Sequence, residues 1–343
     1  MQILLTLAVA SLGGYVFSLL HVPLAWTIGA MVAAAMLVWS KPVSLPAHTR
    51  PMAMVVLGAS FGVGFTPPVL AAVLSSLPTI AGAGVITVMC GLALTPLFAR
   101  MAGLSLNTSY FCAVPGGIAV MPVLAERAGA EVPPVAFAQT VRMVVVVLTI
   151  PPAVALLGNP QGASAFHPEP LAVYWPGIAL LLALGVGVAL VLGRLKAANP
   201  WLIGPLLCSM AITVLWHAPS GFPQWMTNAA QVGMGAGLGV KLTRQFLLGS
   251  RRLALASLAS SLLMVVLLSA VAMGLAALSG LPAEAVVLGL APGGTPEMVI
   301  TAATLEVAVP LVLGFHLVRM LINNLVVGPF WDLATHVAAA IRS

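Results

Sequence analysis

The sequence of 343 residues predicts an all-α polytopic membrane protein. It is expected to hold two inverted repeats, each of about five transmembrane helices plus one broken, re-entrant Pro-Gly-Gly element. Three observations carry that expectation. Hydrophobic residues make up 61% of the chain and charged residues 6%, where a soluble domain carries roughly 25% charged residues. Apolar runs of about 17 to 25 residues, the length that spans a bilayer as helix, recur along the whole chain. The chain also repeats itself about half its length apart.

The repetition is legible in single residues. Pro115-Gly116-Gly117-Ile118-Ala119-Val120-Met121 returns as Pro292-Gly293-Gly294-Thr295-Pro296-Glu297-Met298, an offset of 292 − 115 = 177. Arg142-Met143 returns as Arg319-Met320, Pro133 as Pro310 and Pro152 as Pro329, all at that offset. Trp26-Thr27-Ile28-Gly29 matches Trp201-Leu202-Ile203-Gly204 at 201 − 26 = 175, and Gly58, Gly62 and Gly64 match Gly233, Gly237 and Gly239 at the same distance. Separate patches at nearly one offset indicate duplication.

The elements follow in order. Residues 1–157 form the first membrane repeat, with helices expected near 2–20, 22–39, 50–66, 70–98 and 132–157 and a broken element at about 106–128. Gly158-Asn159-Pro160-Gln161-Gly162 opens a linker, 158–170, whose Pro, Gly and Asn content fits a loop. Residues 171–343 form the second repeat, with helices near 171–193, 200–216, 225–241, 253–279 and 307–335 and a broken element at 285–304. The segment Met1 to Leu20 lacks a positively charged start, and its repeat partner is internal. It reads as the first membrane helix and not as a cleaved signal.

Loop charge sets the orientation. If all six elements of each half spanned, with the N-terminus inside, Arg194, Lys196, Lys241, Arg244, Arg251 and Arg252 would fall outside, against the positive-inside rule. If the broken element enters and leaves on one side, these six fall inside together with Lys41, Arg50, Arg100, Arg127 and Arg342. Of the 13 Lys and Arg, the other two, Arg142 and Arg319, lie within helices. Five net spans per half is odd, so the halves are expected in opposite orientations, with both termini cytoplasmic. The Pro-Gly-Gly element is the one taken as re-entrant, because irregular backbone persists at membrane depth only where it is buried in protein or lines a cavity. The net charge of +6 is thereby loop charge; no basic run exceeds Arg251-Arg252, so no direct nucleic-acid contact is expected.

Candidate site residues gather on the repeated motif. Pro lacks an N–H and Gly permits unusual backbone angles. Pro115, Gly116 and Gly117, with Pro292, Gly293, Gly294 and Thr295, therefore expose backbone groups that can hold a ligand at helix ends. A simple tight turn between short helices is the other reading. Arg142 and Arg319 cost at least ~2.5 kcal/mol within a membrane helix, so each is expected to face a cavity or a partner. They serve either as an anion-binding pair, with Asn323, or as structural groups that satisfy the carbonyls of the neighbouring hairpin. His316, Arg319 and Asn323 share a helical face, where the first half has Gln139, Arg142 and Val146. Glu297, where the first half has Val120, is the candidate proton carrier together with His316, with a plain salt bridge to Arg319 as its alternative. The glycine series Gly58 to Gly64 and Gly233 to Gly239 read as close helix packing in lipid and not as a nucleotide fingerprint. Trp39, Trp175, Trp216 and Trp225 fit an interfacial belt.

These motifs, PGGI…M with APGGTPEMVITA and the repeated W-x-I-G, resemble those of the bacterial AbrB-type membrane protein family over essentially the whole chain. The resemblance implies a membrane duplication of the cation/proton antiporter and anion transporter superfamily, with a scaffold part and a moving core, in the bacterial inner membrane. It also brings two legacy labels, ammonia monooxygenase and regulator of gene expression. Neither follows from the residues. His21, His48, His167, His217, His316 and His336 are scattered, and Cys90, Cys112 and Cys208 lie in apolar stretches without metal spacing.

The expected function is a secondary transporter of a small, anionic metabolite, working by alternating access and coupled to protons. The alternative is a membrane-embedded regulator of gene expression that acts indirectly. No enzymatic activity, cofactor or metal is expected. The expected partners are the lipid bilayer, a small-molecule or ion substrate, and a second copy of the chain in a homodimer.

Overall fold

The computed structural model describes residues 2–41, 43–117, 121–157, 171–195, 197, 199–245 and 249–322. The linker 158–170, Asn323 and the rest of the expected last helix lie outside the described residues. Every regular element described is an α-helix. The first repeat gives α1 (Gln2–Leu19), α2 (Ala25–Ser40), α3 (Thr49–Gly62), α4 (Pro67–Ser75), α5 (Leu77–Ala102), α6 (Leu106–Ala113), α7 (Met121–Arg127) and α8 (Val132–Leu157). The second gives α9 (Trp175–Arg194), α10 (Pro200–Leu215), α11 (Gln224–Gly239), α12 (Arg251–Ser279), α13 (Ala283–Leu290), α14 (Thr295–Thr304) and α15 (Val309–Ile322). Among the described residues α1, α5, α8, α9 and α12 are long and apolar enough to cross a membrane, and α3 with α4 makes a sixth candidate as a bent pair. The apolar helices α2 and α10 have 16 residues each. At ~1.5 Å per residue they fall short of a ~30 Å hydrocarbon core.

One expected helix is two. The segment near 70–98 breaks into α4 and α5, and α4 leaves α3 at 94°. Pro67 and Pro68 open α4, and Pro78 sits in the first turn of α5. Proline has no N–H to continue a preceding helix but fits the first turn of a new one.

The chain folds into two compact units, and each draws on both repeats. The first unit is Met1–Ser75, Val147–Gly249 and Thr295–Val312; the second is Ser76–Val146, Ser250–Gly294 and Leu313–Ser343. In the first unit α1 packs on α2 and α9 on α10, while α2 packs on α11, α3 on α10, and α3 on α11. Exchanging the repeats leaves this list of pairs unchanged. A Cβ on Gly58 or Gly62 would stand 2.4 Å from the carbonyl oxygen of Leu202 or Leu206, and one on Gly235 or Gly239 would stand 2.1 or 2.3 Å from that of Thr27 or Met31. Only glycine lets these backbones approach so closely.

Those contacts correct the register of the glycine series. Thr27 and Met31 correspond to Leu202 and Leu206 at 175, but the glycines that meet them, Gly58 with Gly235 and Gly62 with Gly239, correspond at 177. The strained helix starts are duplicated too. Leu24 before α2 (φ 56°) and Asn199 before α10 (φ 52°) are both left-handed.

In the second unit α5 packs on α12, α6 lies against α5, and α13 lies against α12. Phe98, Tyr110, Phe111, Met121, Met264 and Leu268 form its buried core.

Candidate functional site

Each Pro-Gly-Gly motif is a break between two short helices, as expected. In the second unit α6 ends at Ala113, and Pro115, Gly116 and Gly117 follow. Likewise α13 ends at Leu290, and Pro292, Gly293 and Gly294 lead to α14. Gly117 has φ +90°, a conformation that favours glycine. The end of a helix leaves its last carbonyls without a helical partner. At membrane depth no water replaces that partner. Proline at the break removes one N–H that could have served.

Side chains from α8 and α15 fill the gap. Arg142 donates from Nη1 to the carbonyls of Cys112 (3.4 Å), Ala113 (3.3 Å) and Val114 (3.3 Å), and from Nη2 to Gln139 Oε1. Gln139 Nε2 donates to the carbonyls of Phe111 (2.8 Å) and Val114 (3.0 Å). One guanidinium and one amide thus cap the C-terminal end of α6. Arg142 also donates from Nε to the carbonyl of Pro292 at 3.2 Å, which ties the first repeat's arginine to the second repeat's turn.

The second clamp repeats the first with one exchange. Arg319 donates from Nη1 to the carbonyls of Leu290 (3.5 Å) and Ala291, and from Nη2 to that of Gly293 (3.1 Å). Arg319 Nη2 stands 2.9 Å from His316 Nδ1, and His316 Nε2 stands 3.0 Å from the carbonyl of Leu288. A guanidinium only donates, so Nδ1 must accept, and Nε2 carries the proton given to Leu288. His316 is therefore held as a neutral imidazole of one tautomer. It sits where Gln139 sits, and Leu288 sits where Phe111 sits, both at an offset of 177. Arg142 and Arg319 are 5% and 8% exposed, so these carbonyls are what their donors reach. Pro115 and Pro292 are buried, Gly116, Gly293, Gly294 and Thr295 half-buried, and Gly117 exposed.

Glu297 belongs to the first unit, in the first turn of α14. It is fully buried, and neither carboxyl oxygen has a hydrogen-bond partner. The charge acting on it is that of Arg50, at the start of α3, whose Nε is buried and equally without a partner. Sequence reasoning counted Arg50 as loop charge and did not connect it with Glu297.

The first unit also holds a cavity of about 460 Å3. Leu57, Ser60, Phe61 and Gly64 line it from the α3 side, Gln224, Thr227 and Gln231 from α11, Ile300, Ala303 and Thr304 from α14, and Val309 and Pro310 from α15. Sequence reasoning missed it as well. The signal was present: Gln224, Thr227 and Gln231 lie at i, i+3 and i+7, a polar stripe along one face of the helix. Among the described residues no group of three or more His, Cys, Asp or Glu side chains gathers where it could hold a metal ion.

A family model described as "Transition state regulatory protein AbrB" matches residues 26–334. The chain belongs to the AbrB family. It is 26% identical over 358 aligned residues to "Uncharacterized protein YhjN" of Bacillus subtilis, covering 96% of this chain and 92% of that protein. It is 24% identical over 320 residues to "Putative regulator AbrB" of Escherichia coli, covering 91% and 90%. These matches run through the membrane helices, so the family here is a helical one with apolar spans.

Proposed function

We propose that this member of the AbrB family is a secondary transporter of a small metabolite, coupled to protons through Glu297. The observation that carries the reading is Glu297 itself, a buried carboxyl group without a hydrogen-bond partner in an apolar chain. Such a group is costly in a membrane protein and marks an ion or substrate path. Duplication supports it, because related halves can exchange two states around one site. Under this reading the repeats are inverted, both termini are cytoplasmic, the ion gradient supplies the energy, and the protein catalyses no chemical reaction. His316 then serves as a structural group. The bonds of Arg142 and Arg319 to backbone carbonyls favour a structural role for both over the anion site expected of them.

The test is proton flux in proteoliposomes, followed with a pH-sensitive dye over a panel of small organic acids and amines. Substrate-driven flux that Glu297→Gln abolishes supports the proposal. Flux that the variant retains removes Glu297 from coupling. No flux with any compound counts against transport and favours the second reading, which the regulatory names of the family and of the Escherichia coli relative suggest. In that reading the protein affects gene expression indirectly from the membrane, as a homodimer or with a partner that co-purifies with it.

A further inference from the structure

Resting on the transport reading, the lining of the first unit's cavity sharpens the substrate class. Its hydroxyls have already spent their protons. Ser60 donates to the carbonyl of Leu57 (2.9 Å), Thr227 to that of Gln224 (2.9 Å) and Thr304 to that of Ile300 (2.9 Å). Each oxygen turns its lone pairs, not its hydrogen, to a guest. Gln224 gives an amide hydrogen to Asn228 at 3.0 Å, which leaves its carbonyl oxygen as an acceptor. Gln231 is the exception: it is 6% exposed, lines the cavity, and its amide has no hydrogen-bond partner among the described residues. Its amide opens onto the cavity, where a guest can pair with both its oxygen and its N–H groups. None of the lining residues is charged.

A buried carboxyl group lies on one of the lining helices. Glu297, Ile300 and Thr304 are spaced i, i+3 and i+7 on α14, so Glu297 shares the face that lines the cavity. Arg50 is the charged group that acts on Glu297, and its unpartnered Nε means the two are not locked in a fully hydrogen-bonded pair. Acceptors around an apolar chamber, with a carboxylate on the same helix face, suit a guest that donates hydrogen bonds and carries positive charge. An anion would find donors only in the amide hydrogens of Gln231 and the one that Gln224 keeps, against three hydroxyl oxygens that offer lone pairs.

We propose that this cavity binds a small organic amine in its ammonium form, held by Gln231 and the acceptor oxygens of Ser60, Thr227 and Thr304, with Glu297 balancing its charge. The leucine, phenylalanine, isoleucine and valine walls take the carbon skeleton.

Three probes of one skeleton test it: phenethylamine, phenethyl alcohol and phenylacetate, titrated calorimetrically into the purified full chain in detergent. The expected result is binding of the amine at least ~10-fold tighter than the alcohol, with no binding of the acid; about 1.4 kcal/mol corresponds to that ratio. Gln231→Leu should weaken the amine ~10-fold, and Thr304→Val, which removes an acceptor with little change of shape, should do so by a smaller factor. Glu297→Gln should reduce the amine to the affinity of the alcohol. Tighter binding of phenylacetate, no binding of any probe, or amine binding unchanged in both Gln231→Leu and Thr304→Val would overturn the proposal. The two readings fail separately. Flux driven by acids alone keeps transport and discards the amine site, whereas amine binding without flux keeps the site and discards transport.

Discussion

At the first turn a glutamine bridges an arginine to the end of a short helix; at the second a histidine does so. Gln139 accepts from Arg142 through Oε1 and donates to Phe111, and His316 accepts from Arg319 through Nδ1 and donates to Leu288. An amide and a neutral imidazole share the one property this position requires, an acceptor and a donor at opposite ends of a flat group. The comparison teaches that His316 need not titrate to be useful. Read in isolation, a histidine within a membrane helix suggests a proton relay. Read beside its repeat, it is a capping group with a substitute already supplied by the same chain.

The arginines allow the strongest attack on that comparison. Arg142→Ala strips hydrogen bonds from Cys112, Ala113 and Pro292, and it should cost ~3 kcal/mol at ~1 kcal/mol for each orphaned carbonyl. The melting midpoint in detergent should fall by roughly 4 °C. Arg319→Ala should fall by less, since among the described residues no bond from it to the other repeat's turn matches the one from Arg142 to Pro292. Equal losses would show that the link between the turns carries no weight.

A smaller effect sharpens the equivalence of the bridges. His316→Gln should melt within about 1 kcal/mol of wild type and leave the pH profile of uptake unmoved, whereas His316→Leu should lose ~1–2 kcal/mol by orphaning the Leu288 carbonyl and one Arg319 donor. If glutamine proves as damaging as leucine, the imidazole has a role beyond capping.

The smallest effect separates the two left-handed helix starts. Asn199→Ala should cost ~1 kcal/mol, because alanine tolerates that conformation poorly and asparagine tolerates it well. Leu24 already bears this strain and is buried at 1% exposure, so Leu24→Ala adds only the loss of packing. A stable Asn199→Ala would mean that the start of α10 can relax without cost.

Much of this was legible in the sequence. The repeated Pro-Gly-Gly motifs and both arginines marked the breaks, because proline, paired glycines and a charge stand out against a background that is 61% hydrophobic. Of the two readings held open for the arginines, the bonds to the hairpin carbonyls match the structural one. The split of the expected 70–98 helix into α4 and α5 was not legible, since Ser75-Ser76 hardly interrupts the apolar run and Pro78 alone marks the new start. Arg50 escaped because a charge near a loop counts first toward topology, and no local pattern announces that its charge acts on Glu297, far along the chain. Gln231 escaped for a similar reason. Its face is evident from spacing, but the cavity it faces is assembled from helices of both repeats.

The glycines that touch Leu202, Leu206, Thr27 and Met31 act as fixed marks on a ruler. On the α2 and α10 side the marks lie 175 residues apart, and on the α3 and α11 side 177, so the second copy has gained two residues between its marks while the contacts stayed in place. Chain length has drifted where the backbone could absorb it and has been held where two carbonyl-lined grooves meet bare glycine. The two extra residues lie in the helix, since α11 has 16 residues and α3 has 14 while the loops that precede them are equal. Inserting one between Gly235 and Gly239 would rotate α11 by about 100° and put a side chain where no atom fits.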